Sequence, residues 1–248
     1  MLWYWGDRYS VEHIYKMRSM LKRHLSRPHQ ITVISDRPMA VPSGMTFFNI
    51  AHTLLDRKLG KKLHKKLTRN CMRRMWLYSH EAQVLGDRLL QLDIDMVLTD
   101  SIDPLIDRPE PFVIWKGDST RKPNRPHGWA YNATIMLLTP GARRDVWDRW
   151  ADDPMGIYRE SAEDGWDPDT NSDQAIATYL LKQQEPVAHW TSADGIHAYR
   201  GFAGKYGEKD QGLPEGARVV SFHGMSGART PAVSELQQKS PWILEHWR

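Results

Sequence analysis

Short apolar runs alternate with segments of helical spacing along most of the chain. Residues 2–5 predict a strand, residues 11–25 a helix and residues 30–35 a second strand, which ends before Asp36. Strand, helix and strand in succession favour a mainly parallel sheet covered by helices. Further strands are predicted at residues 46–50, 88–98, 111–115, 130–139, 187–190 and 217–222, and further helices at residues 55–78, 142–150 and 172–182.

Length and composition describe a globular protein. The chain has 248 residues, of which 40% are apolar and 26% charged. These values exclude a disordered or low-complexity chain. Because no internal repeat or linker composition is found, we predict one α/β domain spanning residues 1–248, with a loop at residues 201–216, which are rich in glycine and charge.

Several functional classes are excluded by what the sequence lacks. No window approaches the roughly 18 consecutive apolar residues of a membrane-spanning helix, and the first residues lack the basic and apolar regions of a signal peptide. The one cysteine, Cys71, allows neither an internal disulfide nor a cysteine-based zinc site. Neither the dinucleotide-binding glycine motif nor a phosphate-binding P-loop is present. These features predict a cytoplasmic protein.

Two aspartates interrupt an apolar run. Asp93 and Asp95 lie within residues 89–98, and carboxylates in such a strand are costly if they are buried without a partner. They are therefore expected at a strand end beside a divalent cation, because Mg²⁺ and Mn²⁺ prefer carboxylate oxygens and complete their coordination with substrate phosphates. A second Asp-x-Asp triplet, at residues 167–169, is interpreted as part of a solvated turn.

The ordered set of motifs resembles a known family. Asp93-Ile94-Asp95, followed by Ser101-Ile102-Asp103-Pro104-Leu105, is similar to the metal-binding region of nucleotide-sugar glycosyltransferases with the GT-A fold, specifically the family 8-like enzymes. Matching segments occur in order at residues 5–9, 35–36, 131–138, 171–174 and 222–224. The resemblance implies a Rossmann-like domain that transfers a sugar from a nucleoside diphosphate sugar, most simply a UDP-sugar, with Mn²⁺ or Mg²⁺. Retention of anomeric configuration is implied by the resemblance alone.

The resemblance also implies roles for individual residues. His223 would complete the metal site, while Asp173 and Gln174, at a predicted helix start, would contact the sugar or the acceptor. The implied donor-binding residues are Tyr4, Trp5, Asp36, Arg74 and Asn132. Arg73 is an equal candidate for the role of Arg74. The family's lysine for the diphosphate is absent from the late motif here, so Arg229 becomes the candidate phosphate-binding cation.

A run of positive charge suggests the acceptor. The chain carries 34 Lys and Arg against 30 Asp and Glu, and several of these cations recur at helical spacing near residue 60. Charges that reinforce one helix face repel each other unless a polyanion is present, although a solvated helix face is the simpler interpretation. The residues concerned are Lys58, Lys61, Lys62, Lys65, Lys66 and Arg69.

Nucleic acid is the leading partner for this face. The sequence therefore favours transfer to a modified base in DNA, as some bacteriophage enzymes perform, with a glycan, lipid-linked or lipopolysaccharide acceptor as the alternative. A non-enzymatic nucleic-acid-binding protein is the alternative from another class, and metal-dependent hydrolysis of a sugar nucleotide would distinguish it. A nucleotidyltransferase is disfavoured because no glycine-rich basic loop follows the first strand.

Overall fold

The computed structural model describes most of the chain. The described residues are 1–5, 9–53, 70–117, 131–166, 168–184, 186–204, 207–222 and 236–248. Within these ranges no helix is both long enough and apolar enough to cross a membrane.

Two β-sheets organise the described residues. The strands are β1 (Leu2–Trp3), β2 (Ile31–Ser35), β3 (Met45–Asn49), β4 (Leu89–Leu92), β5 (Met96–Leu98), β6 (Phe112–Lys116), β7 (Tyr131–Leu138), β8 (His189–Trp190), β9 (Ile196–Ala198) and β10 (Val219–Ser221). The large sheet has the order β3-β2-β1-β4-β7-β6-β8, and the small sheet has the order β5-β10-β9. In the large sheet β7 alone runs antiparallel to its neighbours, so the predicted mainly parallel α/β architecture is confirmed.

Helices pack against both faces of the large sheet and against the small sheet. They are α1 (Glu12–His24), α2 (Asp103–Ile106), α3 (Arg144–Asp152), α4 (Pro154–Glu163), α5 (Pro168–Lys182), α6 (Tyr199–Phe202) and α7 (Trp242–His246), with 3₁₀ helices at Ile50–His52, Asn70–Tyr78, His80–Leu85 and Ser192–Asp194. Successive residues of β1 enter different cores. Leu2 packs in a cluster with Met17 of α1, whereas Trp3 packs in a cluster with Trp76.

The predicted single strand at residues 88–98 is wrong. β4 ends at Leu92 in the large sheet, and β5 begins at Met96 in the small sheet, with the two aspartates in the bend between them. The bend keeps both carboxylates out of the apolar layers. Because the residues on either side are equally apolar, their pattern contains no signal for the change of sheet.

The predicted helix start at Asp173 is also wrong. Helix α5 begins at Pro168, so Asp173 lies in its second turn, and Pro168 and Asp169 of the supposed turn belong to the helix, while Asp167 lies outside the described residues. Proline is compatible with a first helical position because no intrahelical bond requires its missing N–H there. Of the helix predicted at 55–78, only residues 70–78 are described, and they form a 3₁₀ helix. Helix α4 and strand β9 were not predicted.

Gly195 supports the start of β10. This strand leads to Phe222, whose N–H donates a hydrogen bond to the carbonyl of Asp95. The carbonyl of Gly195 accepts hydrogen bonds from the N–H groups of Arg218 at 2.8 Å and Val219 at 3.1 Å, and the φ of Gly195 is +84°. A Cβ at this position would lie 2.4 Å from the carbonyl oxygen of Gly216.

Replacement of Gly195 by alanine should therefore cost more than the about 1–2 kcal/mol of a left-handed conformation alone. Gly216→Ala is the matched control, because Gly216 also has a positive φ but a Cβ there would meet nothing within 4 Å. Urea denaturation should show the larger loss of unfolding free energy for Gly195→Ala. Equal losses would show that the close contact is unimportant.

Candidate functional site

Several of the predicted site residues within the described ranges lie at one edge of the large sheet. β1, β2 and β4 are parallel, so their carboxyl ends meet at this edge, and the antiparallel β7 begins there. Trp5 follows β1, Asp36 follows β2, Asp93 follows β4 and Asn132 lies at the start of β7. This is the position at which open α/β sheets bind ligands.

Arg74 joins two acidic side chains at this edge. Its Nη1 donates a hydrogen bond to Oδ1 of Asp93 at 2.6 Å, and its Nε lies 2.8 Å from Oδ2 of Asp173. Asp173 is only 2% exposed. The three residues belong to the 3₁₀ helix Asn70–Tyr78, the end of β4 and α5, so the ion pairs fix three elements relative to one another.

The carboxylates of this network titrate unusually. Burial raises the pKa of Asp93 to about 6, against the opposing effect of Arg74, and the nearby Asp95 and Asp173 raise it as well. Burial likewise raises the pKa of Asp173, again opposed by Arg74. Burial alone would lower the pKa of Arg74, but Asp173 and Asp93 outweigh it, so that pKa is raised and the guanidinium stays charged.

Asp95 is held by residues from distant parts of the chain. The hydroxyl of Tyr9 donates a hydrogen bond to Oδ2 of Asp95 at 2.7 Å, and the N–H of Phe222 donates to its carbonyl at 3.0 Å. Sequence analysis did not assign Tyr9 a role. The one sequence feature that pointed to Tyr9 was its place in residues 5–9, the matched segment that follows β1.

Arg73 forms the second cationic contact of the edge. Its Nη1 lies 2.5 Å from Oδ2 of Asp36, and the buried Oδ1 of Asp36 has no hydrogen-bond donor among the described residues. Sequence analysis treated Arg73 and Arg74 as alternatives. The structure instead places both at the edge, each with a different carboxylate.

The other predicted site residues within the described ranges are buried or half-buried among neighbouring side chains. They are Tyr4, Trp5, Asn132 and Gln174. Asn132 is 3% exposed and its Oδ1 accepts a hydrogen bond from the N–H of Thr134 at 3.0 Å. The ring of Trp5 lies 5.0 Å from that of Trp3, and Tyr4 packs partly buried against the cluster that contains α1. Gln174 is half-buried on α5 beside Asp173.

Gln91 is a buried polar residue that sequence analysis missed. Its Nε2 donates to the carbonyl of Ala133 at 3.1 Å and to Oδ1 of Asp93 at 3.2 Å. The available signal was its polarity in the otherwise apolar β4 sequence LLQL. Gln91 therefore helps to orient the first aspartate of the motif.

Two carboxylates, rather than a complete cage, are available for a metal ion. Among the residues with a described placement, no group of three or more His, Cys, Asp or Glu could hold one. Asp93 and Asp95 nevertheless fit Mg²⁺ or Mn²⁺, because these ions often use one or two protein carboxylates with water and substrate phosphates. A cation there would stabilise the charged form of Asp93, whose pKa is raised by burial.

Some predicted site residues lie outside the described residues. They are the metal ligand His223, the phosphate-binding Arg229, and the basic face of Lys58, Lys61, Lys62, Lys65, Lys66 and Arg69.

Comparison with known proteins identifies the fold. No protein-family model matches the chain, and no curated protein matches its sequence. Among solved structures, the chain is similar to the galactosyltransferase LgtC in complex with donor and acceptor sugar analogs, with 15% identity and a TM-score of 0.58 over 99% of this chain and 95% of that one. It is also similar to mouse xyloside xylosyltransferase 1 in its apo form, with 12% identity and a TM-score of 0.56 over 91% of this chain and 97% of that one.

An active-site mutant of LgtC is a third similar structure. It shows 13% identity and a TM-score of 0.57 over 99% of this chain and 95% of that one. The chain therefore has the fold of GT-A glycosyltransferases, and the family resemblance predicted from its motifs is confirmed at the level of the fold.

The shifted pKa of Asp93 gives a prediction for stability without metal. Asp93 binds its proton more tightly in the folded chain, with a pKa of about 6, than at the ordinary value of 3.8. Because the folded state then holds more protons, Asp93 makes the free energy of unfolding fall as the pH rises from about 4 to about 6. Asp93→Asn should remove this contribution and flatten the profile.

Urea denaturation in a chelator, across this pH range, measures the effect. Asp87→Asn is the matched control, because Asp87 is exposed. If Asp93→Asn kept the pH dependence of the parent, Asp93 would not be the titrating group.

Proposed function

We propose that the chain is a metal-dependent glycosyltransferase that acts in the cytoplasm as one domain. It transfers a hexose or related sugar from a nucleoside diphosphate sugar, most simply a UDP-sugar, to an acceptor. The observation that carries this proposal is the placement of Asp93 and Asp95 at the ligand-binding edge of a GT-A fold. Arg74 and Asp173 adjoin the same edge.

Asp93, Asp95 and His223 hold Mn²⁺ or Mg²⁺ in this proposal. An ion held there would supply positive charge beside the departing nucleoside diphosphate. Support for His223 comes from its neighbour in the chain, since the N–H of Phe222 is bonded to the carbonyl of Asp95.

The donor lies along the edge between β2 and β7 in this proposal. Tyr4, Trp5 and Asp36 contact the nucleotide, and the buried Oδ1 of Asp36 offers an acceptor for a donor group of the ligand. Arg74 and Asn132 contact the sugar, while Arg229 binds the diphosphate. Asp173 and Gln174 face the sugar or the acceptor.

Two acceptor classes have separate support. The structure of LgtC contains an acceptor sugar analog, which favours a glycan or a lipid-linked glycan here. The basic run at residues 57–69 favours DNA carrying a modified base.

Substitution of the two aspartates tests the metal and donor sites. Asp95→Asn and Asp93→Asn should abolish Mn²⁺-dependent hydrolysis of the donor, because each removes a charged ligand. They should also reduce the thermal shift produced by UDP with Mn²⁺, which for the parent corresponds to about 2.7 kcal/mol at 100 times the Kd. Asp87→Asn, at an exposed position, is the control and should behave as the parent.

Donor hydrolysis within tenfold of the parent in both variants would contradict the proposed metal site. A parent protein that hydrolyses no sugar nucleotide with any divalent cation, yet binds DNA, would instead support the non-enzymatic nucleic-acid-binding alternative.

Charge reversal tests the acceptor. Glutamate at Lys58, Lys61, Lys62 and Lys65 should weaken binding of duplex DNA broadly and reduce its salt dependence, because each phosphate contact contributes about −0.9 to the log–log slope. Donor hydrolysis should be nearly unchanged. A control with the same change of charge has glutamate at the exposed positions Lys22, Arg159, Lys209 and Lys239.

Affinity measured between low and high salt for the parent and both variants gives the answer. Equal and salt-insensitive DNA binding by all three proteins would exclude the DNA acceptor and leave the glycan or lipid-linked acceptor.

A further inference from the structure

The side chain of Asp95 has one described contact that fixes its orientation. Tyr9 donates to Oδ2 at 2.7 Å, and within the described ranges no group donates a hydrogen bond to Oδ1. The bond from Phe222 reaches the carbonyl of Asp95 and therefore fixes its backbone rather than its side chain. Among the described residues, one carboxylate oxygen of Asp95 thus has a hydrogen-bond donor and the other has none.

Asp93 is held differently. Its Oδ1 accepts hydrogen bonds from both Arg74 and Gln91, at 2.6 Å and 3.2 Å. Loss of either donor would leave the other in place. Among the described contacts, the side chain of Asp95 has no second hydrogen-bond donor, so its rotamer depends on the hydroxyl of Tyr9.

Tyr9 is itself packed against a rigid element. Its ring centroid lies 5.1 Å from that of His13, which is 7% exposed on α1. The ring of His13 also meets the edge of Trp247 at 5.4 Å, and its Nδ1 lies 3.4 Å from the hydroxyl of Ser10. The phenol therefore has a defined position from which to orient Asp95.

We propose that Tyr9 is a positioning residue for the metal ion. Its hydroxyl binds Oδ2 of Asp95 and so leaves Oδ1 to the cation. This inference rests on the proposed function, because it requires Asp95 to be a metal ligand. Groups that orient a ligating side chain in this way typically contribute about 10–100-fold to metal affinity.

Tyr9→Phe is the informative variant, because it removes the hydroxyl and retains the ring that packs on His13. Mn²⁺ affinity is measured by calorimetry, and by the paramagnetic resonance signal of free Mn²⁺, with UDP present at neutral pH. The Kd for Mn²⁺ should rise about tenfold or more. Binding of UDP in a chelator should match the parent.

Two further variants complete the design. Tyr15→Phe is the matched control, since Tyr15 is 52% exposed on α1, and it should bind Mn²⁺ as the parent does. Asp95→Asn removes the ligand itself and defines the affinity that remains without it.

The outcomes separate this inference from the function on which it rests. If Tyr9→Phe binds Mn²⁺ as the parent does while Asp95→Asn does not, Tyr9 has no positioning role and the proposed metal site stands. If Tyr9→Phe loses metal-free UDP binding to the same extent as Mn²⁺ binding, its role is in nucleotide binding, and the inference is overturned. A parent protein that binds no Mn²⁺ would overturn both proposals.

Discussion

The ion pairs of Arg74 with Asp93 and Asp173 are the constraint on which the site depends. Buried charges are stable only when each has its partner, and removal of one member of such a group typically costs about 3–5 kcal/mol. The 3₁₀ helix Asn70–Tyr78, the end of β4 and α5 must therefore meet at one point. That requirement places a guanidinium group beside Asp93, the first aspartate of the Asp-x-Asp triplet.

The second constraint is the bend between the two sheets. The N–H of Asp93 donates to the carbonyl of Thr134 in β7 at 3.0 Å, which ties this residue to the large sheet. The carbonyl of Asp95 accepts from Phe222 after β10, which ties it to the small sheet. The two aspartates therefore lie where the two sheets meet, and Gly195, whose carbonyl accepts hydrogen bonds from Arg218 and Val219, supports the small sheet on the same side of this junction as Phe222.

The sequence predicted what depends on local pattern. Alternating strands and helices and the mainly parallel architecture follow from periodicity, and the expectation that the aspartates lie at a strand end follows from the cost of burying charge, although the end of β4 at Leu92 was not predicted. Tyr9 could not be found in this way, because it lies 86 residues from Asp95 in the chain. Nor could the pattern choose between Arg73 and Arg74, since a 3₁₀ helix has three residues per turn and directs adjacent side chains toward different partners.

The charge balance at the edge provides an independent argument for a cation. The described groups that meet there include four carboxylates, from Asp36, Asp93, Asp95 and Asp173, and the two guanidinium groups of Arg73 and Arg74. When all are ionised, two negative charges are in excess, and burial near them raises the pKa of Asp93 to about 6. A nucleoside diphosphate would add further negative charge, part of which Arg229 offsets in the proposed function. In the proposed function, a divalent ion at Asp93 and Asp95 would supply part of that charge beside the phosphates of the donor.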